Sequence, residues 1–128
     1  MSVAPQRVPA YLGHILQAIL RIQRYTDGMG EGGFLQSEIA QDAVIRNFEV
    51  IGEASRNIER SDPGFSATHP ELPLSFAYEM RNALAHGYFK VDLSIVWKTI
   101  ENDLPTLQRQ VQALLTEIAG SEGAEAEP

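Results

Sequence analysis

Apolar residues recur at helical spacing along most of the chain. Between residues 9 and 26, Leu12, Ile15, Leu16, Ile19, Leu20 and Ile22 follow the i, i+3, i+4 repeat of a helix with one face turned to a core. Four glycines within six residues, 28–33, then break the repeat. A second helix is predicted over 37–60. Ser37 is suited to cap it, and Glu38 and Asp42 put negative charge in its first turns, where the helix dipole favours it. Ile39, Ala43, Val44, Phe48, Ile51, Ala54, Ser55 and Ile58 form its apolar or small stripe, with Val50 beside it. Gly52 and Ala54 are small enough to admit a neighbouring helix closely. Arg46, Glu49, Glu53, Arg56 and Asn57 make up a polar face, read either as a solvated, salt-bridged surface or, for Glu53, as a group orienting a functional cation.

The run SDPG at 61–64 ends that helix, and a proline-pinned connection continues through HPELP at 69–73. A third helix is predicted from residue 74 or 75 to 86, with Gly87 suited to the position just past its end. The last is predicted from Leu93 to about Ile118, capped by Asp92 and kinked at Pro105, which lacks a backbone donor and crowds the preceding turn. No segment alternates as a strand would, and no internal repeat is visible. The expected fold is all-α, an antiparallel four-helix bundle forming one domain over 1–120, followed by an acidic, disordered tail at 121–128.

Composition narrows the function classes. A chain of 128 residues with 44% hydrophobic residues can bury its own core. The sequence has no cysteine, which rules out disulfides and thiolate chemistry and suits a reducing cytoplasm. Residues 1–6 carry no apolar signal-type core, and no run approaches a membrane span, so a membrane partner is not expected. The net charge is −7, and −4 still remains without Glu122, Glu125 and Glu127 of the tail. A general nucleic-acid coat does not fit that balance, whereas a small cationic cleft made by pairing two chains does.

Histidine and carboxylate spacing shows neither H-E-x-x-H nor E-x-x-H, so no metal site and no cofactor are expected. His14 falls among apolar positions and reads as a partly buried or interface histidine. His69, before a proline, reads as a surface loop residue.

The stretch YEMRNALAHGYF at 78–89 is different. It sets Arg81, His86 and Tyr88 in an R-x4-H-x-Y spacing at a helix end. Arginine grips phosphate with a rigid fork of donors, and histidine moves protons near neutral pH. Residues five apart lie about 140° apart around a helix, so a single helix does not bring Arg81 and His86 together. A fraying helix end, or two copies facing each other, would bring both groups onto one phosphate. In RNA cleavage without metal, histidine would move the proton of the 2′-hydroxyl or of the leaving oxygen, arginine would stabilise the phosphate, and Asn82 could bond substrate or His86. Residue types alone leave the plainer alternative open. In it Arg81 pairs with an acid such as Glu53, His86 caps the helix C-terminus, and Tyr88 and Phe89 are core aromatics.

The stretch resembles the R-x4-H-x-Y motif of the HepT family of HEPN-domain toxins, and the similarity extends over roughly residues 11–118. QDAVIRNFEVIGEA at 41–54 resembles the family's second helix. Met80-Arg81-Asn82 with His86-Gly87-Tyr88-Phe89 resembles its third helix and following loop, and VDLSIVW at 91–97 with NDLP at 102–105 resembles its last helix. The resemblance implies a HEPN-type bundle and a homodimeric, metal-independent endoribonuclease in which Arg81 and His86 of both chains line one cleft. It also implies the toxin of a toxin–antitoxin pair, with an MntA-like minimal nucleotidyltransferase as antitoxin and Tyr88 as the acceptor of the nucleotide group it adds (adenylylation). The chain departs from the family at LPLSF, 72–76, where a tryptophan often follows the proline; this implies altered packing rather than altered chemistry. A non-catalytic helical module that binds a nucleotidyltransferase is the alternative, and the intact Arg81, His86 and Tyr88 argue against it.

Overall fold

The structure, a computed structural model, describes residues 7–72 and 92–126. The fold is all-α. The described elements are α1 (Val8–Tyr25), α2 (Glu31–Leu35), α3 (Glu38–Ser61), α4 (Phe65–Thr68), α5 (Leu93–Asn102) and α6 (Leu104–Ala126). The third expected helix, ending at residue 86, lies outside the described residues.

The two long N-terminal helices pair along their apolar faces. Leu12, Ile15, Ile19 and Ile22 of α1 and Val44, Phe48, Ile51 and Ile58 of α3 are all buried in one core. Leu104, Leu107, Val111 and Leu114 of α6 complete it, and Val96, Trp97 and Ile100 of α5 join it. Each fully buried aliphatic side chain of this kind stabilises the fold by about 1.5–3 kcal/mol relative to exposure. A side-chain hydrogen bond from Gln23 to Gln108 (2.7 Å) ties the last turns of α1 to the first turns of α6.

The buried side chains of Asn47, Ser55 and Thr99 are satisfied within their own helices. The Asn47 amide donates to the Ala43 carbonyl (2.8 Å), and Ser55 Oγ donates to the Ile51 carbonyl (2.7 Å). Thr99 Oγ1 likewise donates to the Ile95 carbonyl (2.9 Å). This local pairing removes the cost of burying a hydroxyl or amide without a partner.

Helix ends follow capping chemistry. Ser37 Oγ accepts from the Ala40 N–H (3.1 Å), and Asp92 Oδ1 accepts from the Ser94 and Ile95 N–H groups (3.0 and 3.3 Å). Both caps stand where the sequence predicts them. After α1 the chain turns through Gly28 at φ +74°, a left-handed conformation that glycine adopts without strain.

Three details differ from the expected pattern. The glycine-rich break was expected to run through residue 33, yet residues 31–35 form the short helix α2. Phe34 explains it: the ring is fully buried and stacks, tilted, on Trp97 at 5.4 Å between centroids. Burial of an aromatic outweighs the roughly 1 kcal/mol that each glycine costs a helix. The Gln41 amide also donates to the Phe34 and Leu35 carbonyls (3.0 and 3.1 Å), satisfying acceptors that a helix end leaves open.

The second difference is at Ile39, expected in the buried stripe of α3 but 86% exposed in its first turn. The third concerns Pro105. Instead of kinking one helix, it sits in the first turn of α6, and α5 has already ended at Asn102 with Asp103 as its cap. A proline tolerates a first turn, where its missing N–H has no partner to lose. The Asp103 N–H still reaches the Thr99 carbonyl (2.9 Å), and its own carbonyl takes the Leu107 N–H (3.0 Å), so the two helices meet with little backbone left unpaired. The stretch read as an acidic tail from 121 coincides with the last turns of α6.

Candidate functional site

Of the residues singled out in the sequence, Arg81, Asn82, His86 and Tyr88 lie outside the described residues, while Glu53 lies within them. The described chain flanks that stretch on both sides. Before it, Leu72 is buried in the core and its N–H bonds the His69 carbonyl (3.1 Å); after it, Asp92 caps α5.

Glu53 stands on the exposed side of α3, next to the buried Gly52 and Ala54. Arg46, Glu49, Val50, Glu53, Ala54 and Asn57 follow one another at i+3 and i+4 steps, so they share one face of the helix. That face borders an open concavity of ≈ 200 Å³, and His14 of α1 lines it from the other side. Val50 and Ala54, half-buried and buried, are its apolar lining. The imidazole, guanidinium, two carboxylates and one carboxamide supply its polar groups.

Of the two readings of His14, partly buried or interface, the first does not hold in this chain, where the residue is exposed. The buried positions of α1 (Val8, Leu12, Ile15, Ile19 and Ile22) define a narrow stripe, and position 14 lies about 100° around the helix from Ile15. The ring is exposed and meets Tyr11, one turn earlier, edge-on at 6.1 Å. Its place beside α3 depends on how the two helices pack, which spacing within α1 does not reveal.

The salt-bridged reading of the polar face is not seen for Arg46 and Glu49. Neither forms an ion pair with another described residue, as His69 Nδ1 does with Glu71 at 3.4 Å, whereas Glu53 and Arg56 of the same face are not without partners. His69 occupies the loop after α4, half-buried, with its ring 4.5 Å from that of Phe65. It is thus more packed than a free surface residue. Among the described residues no group of three or more His, Asp or Glu gathers as metal ligands, and no helix is long and apolar enough to cross a membrane.

Comparison with known proteins adds to this geometry. A family model described as "Ribonuclease HepT-like" matches residues 15–114. The chain is 40% identical over 104 residues to "Probable ribonuclease HepT" of Thermococcus cleftensis, a match covering 81% of this chain and 92% of that one. It is 37% identical over 111 residues to a Methanocaldococcus jannaschii protein named "Gamma-glutamylcyclotransferase and putative RNase". That match covers 87% of this chain but 49% of the relative, so the chain spans about half of that protein's length. No solved structure matches the chain.

Proposed function

Because the chain belongs to the HepT-like ribonuclease family, we propose that it is a metal-independent endoribonuclease acting in the cytoplasm as the toxin of a toxin–antitoxin pair. The observation that carries this reading is the family match over 15–114, a range that contains the complete R-x4-H-x-Y pattern at Arg81, His86 and Tyr88.

In this reading two chains pair and share one cleft. His86 of one copy takes the proton from a ribose 2′-hydroxyl, and the 2′-oxygen attacks the adjacent phosphorus. The bond from phosphorus to the 5′-oxygen breaks, and an imidazolium, His86 of the second copy, returns a proton to that oxygen. The products are a cyclic phosphate end and a 5′-hydroxyl end, with no net change in protons. Arg81 stabilises the charge on the non-bridging oxygens, which exceeds that of the ground state. Asn82 bonds substrate or His86, and Glu53 orients the arginine.

Control lies at Tyr88. A minimal nucleotidyltransferase of the MntA kind, acting as antitoxin, transfers a nucleotidyl group from a nucleoside triphosphate to its hydroxyl: the tyrosyl oxygen bonds the α-phosphorus, pyrophosphate leaves and the hydroxyl proton passes to solvent. The added phosphate places negative charge at the mouth of the cleft and repels RNA.

His86→Ala is expected to lower the rate of RNA cleavage by about 10²-fold or more, the range removed with a general acid or base. Cleavage by that variant at the parent's rate would overturn the nuclease reading. Tyr88→Phe is expected to keep arresting growth when the antitoxin is co-expressed. Full neutralisation of Tyr88→Phe would instead assign control to binding alone.

A further inference from the structure

The concavity between α1 and α3 has a composition that suits neither a phosphate nor a metal ion. Glu49 sets a negative charge beside the positive one of Arg46, and no metal-ligand group gathers among the described residues. It does suit a nucleobase. Apolar Val50 and Ala54 offer a lining for a flat ring, and His14 is an exposed aromatic face beside them. Carboxylates accept hydrogen bonds from exocyclic amino groups, and a carboxamide such as Asn57 presents a donor and an acceptor together. A volume of ≈ 200 Å³ has room for one base but not for a base pair.

We propose that this concavity receives one unstacked base of a single-stranded RNA substrate, with His14 stacking on it and Glu49 selecting bases that carry an amino group. The inference rests on the ribonuclease reading for its biological meaning and names the substrate class more closely. Base edges of this kind are accessible in single strands and loops, where aromatic stacking and hydrogen bonds to the exposed edge give sequence preference. The acidic balance of the chain fits such a grip, because stacking and amino-group recognition do not depend on a large basic surface.

The test uses the full chain and two readouts. Imidazole proton signals are followed by NMR during titration with CMP, AMP, GMP and UMP, the His14 signal being identified by its loss in His14→Gln. The His14 signal is expected to move with CMP, AMP and GMP and much less with UMP, and Glu49→Gln should weaken the CMP response about tenfold. No movement of the His14 signal, or equal movement with all four nucleotides, overturns the proposal. In the second readout, cleavage of short single-stranded RNAs that differ at one base is compared. The parent is expected to prefer amino-bearing bases about tenfold at one position near the cut, and Glu49→Gln to bring the rates within about threefold. An unchanged preference in Glu49→Gln also overturns it and leaves this face to a protein partner. If no RNA is cleaved but His14 responds selectively, the nuclease reading falls and the base site stands.

Discussion

Ile51 and Ile39 lie on the same helix, three turns apart, in opposite surroundings: 1% of one is exposed and 86% of the other. Ile51→Ala should cost about 2–5 kcal/mol, the lost burial plus the cavity left behind. Ile39→Ser should change stability by no more than about 0.5 kcal/mol. Ser37→Ala should fall between them at about 1 kcal/mol, since it removes the oxygen that takes the Ala40 N–H. Urea denaturation of the three variants measures all of these. The contrast also marks what single residues disclose before a structure is known. Ser37 and Asp92 were legible as caps because capping chemistry is local. Ile39 was not, because its apolar character suggested the stripe, whereas the buried face runs through Ala40, Val44, Phe48, Ile51, Ser55 and Ile58 and Ile39 lies about 100° around the helix from Ala40. Partial burial of His14 failed for a related reason: Leu12 and Ile15 lie on the buried stripe of α1, and His14 between them does not.

Among the elements, α1 and α3 were legible to within a residue at their ends, because a sustained period of 3.6 leaves little choice of structure, whereas α6 runs to Ala126, about eight residues past the expected end near Ile118. The short helix α2 was not legible, since two of its five residues are glycines and its cause is a tertiary contact, Phe34 on Trp97. Phe34→Ala is accordingly expected to cost about 3–5 kcal/mol and to free α2, read as a drop in melting temperature with loss of amide protection across residues 31–35. The junction of α5 and α6 carries a similar lesson. Pro105 was recognised as an interruption, but whether a proline bends a helix or begins a new one depends on whether the preceding turn can close independently. Here the Asp103 N–H closes it on Thr99.

For the molecule as a whole, family membership was legible because several blocks match in order, while the catalytic geometry was not. Arg81 and His86 are five residues apart, and no property of one chain states how two chains would meet. The proposed shared cleft makes a prediction at this scale. An equal co-refolded mixture of parent and His86→Ala chains should keep about a quarter of the parent's cleavage rate, because only dimers of two parent chains hold both histidines in one cleft. A rate of about half, with mixed dimers shown to form, would place a complete site within each chain. Gln41 supplies a different kind of order. Its amide holds the carbonyls of Phe34 and Leu35 from seven and six residues away, so the last turn of α2 is completed by a side chain of α3. The standing of α2 is thus tied to two other helices at once, so whatever loosens α3 or shifts Trp97 of α5 should loosen this short turn with it.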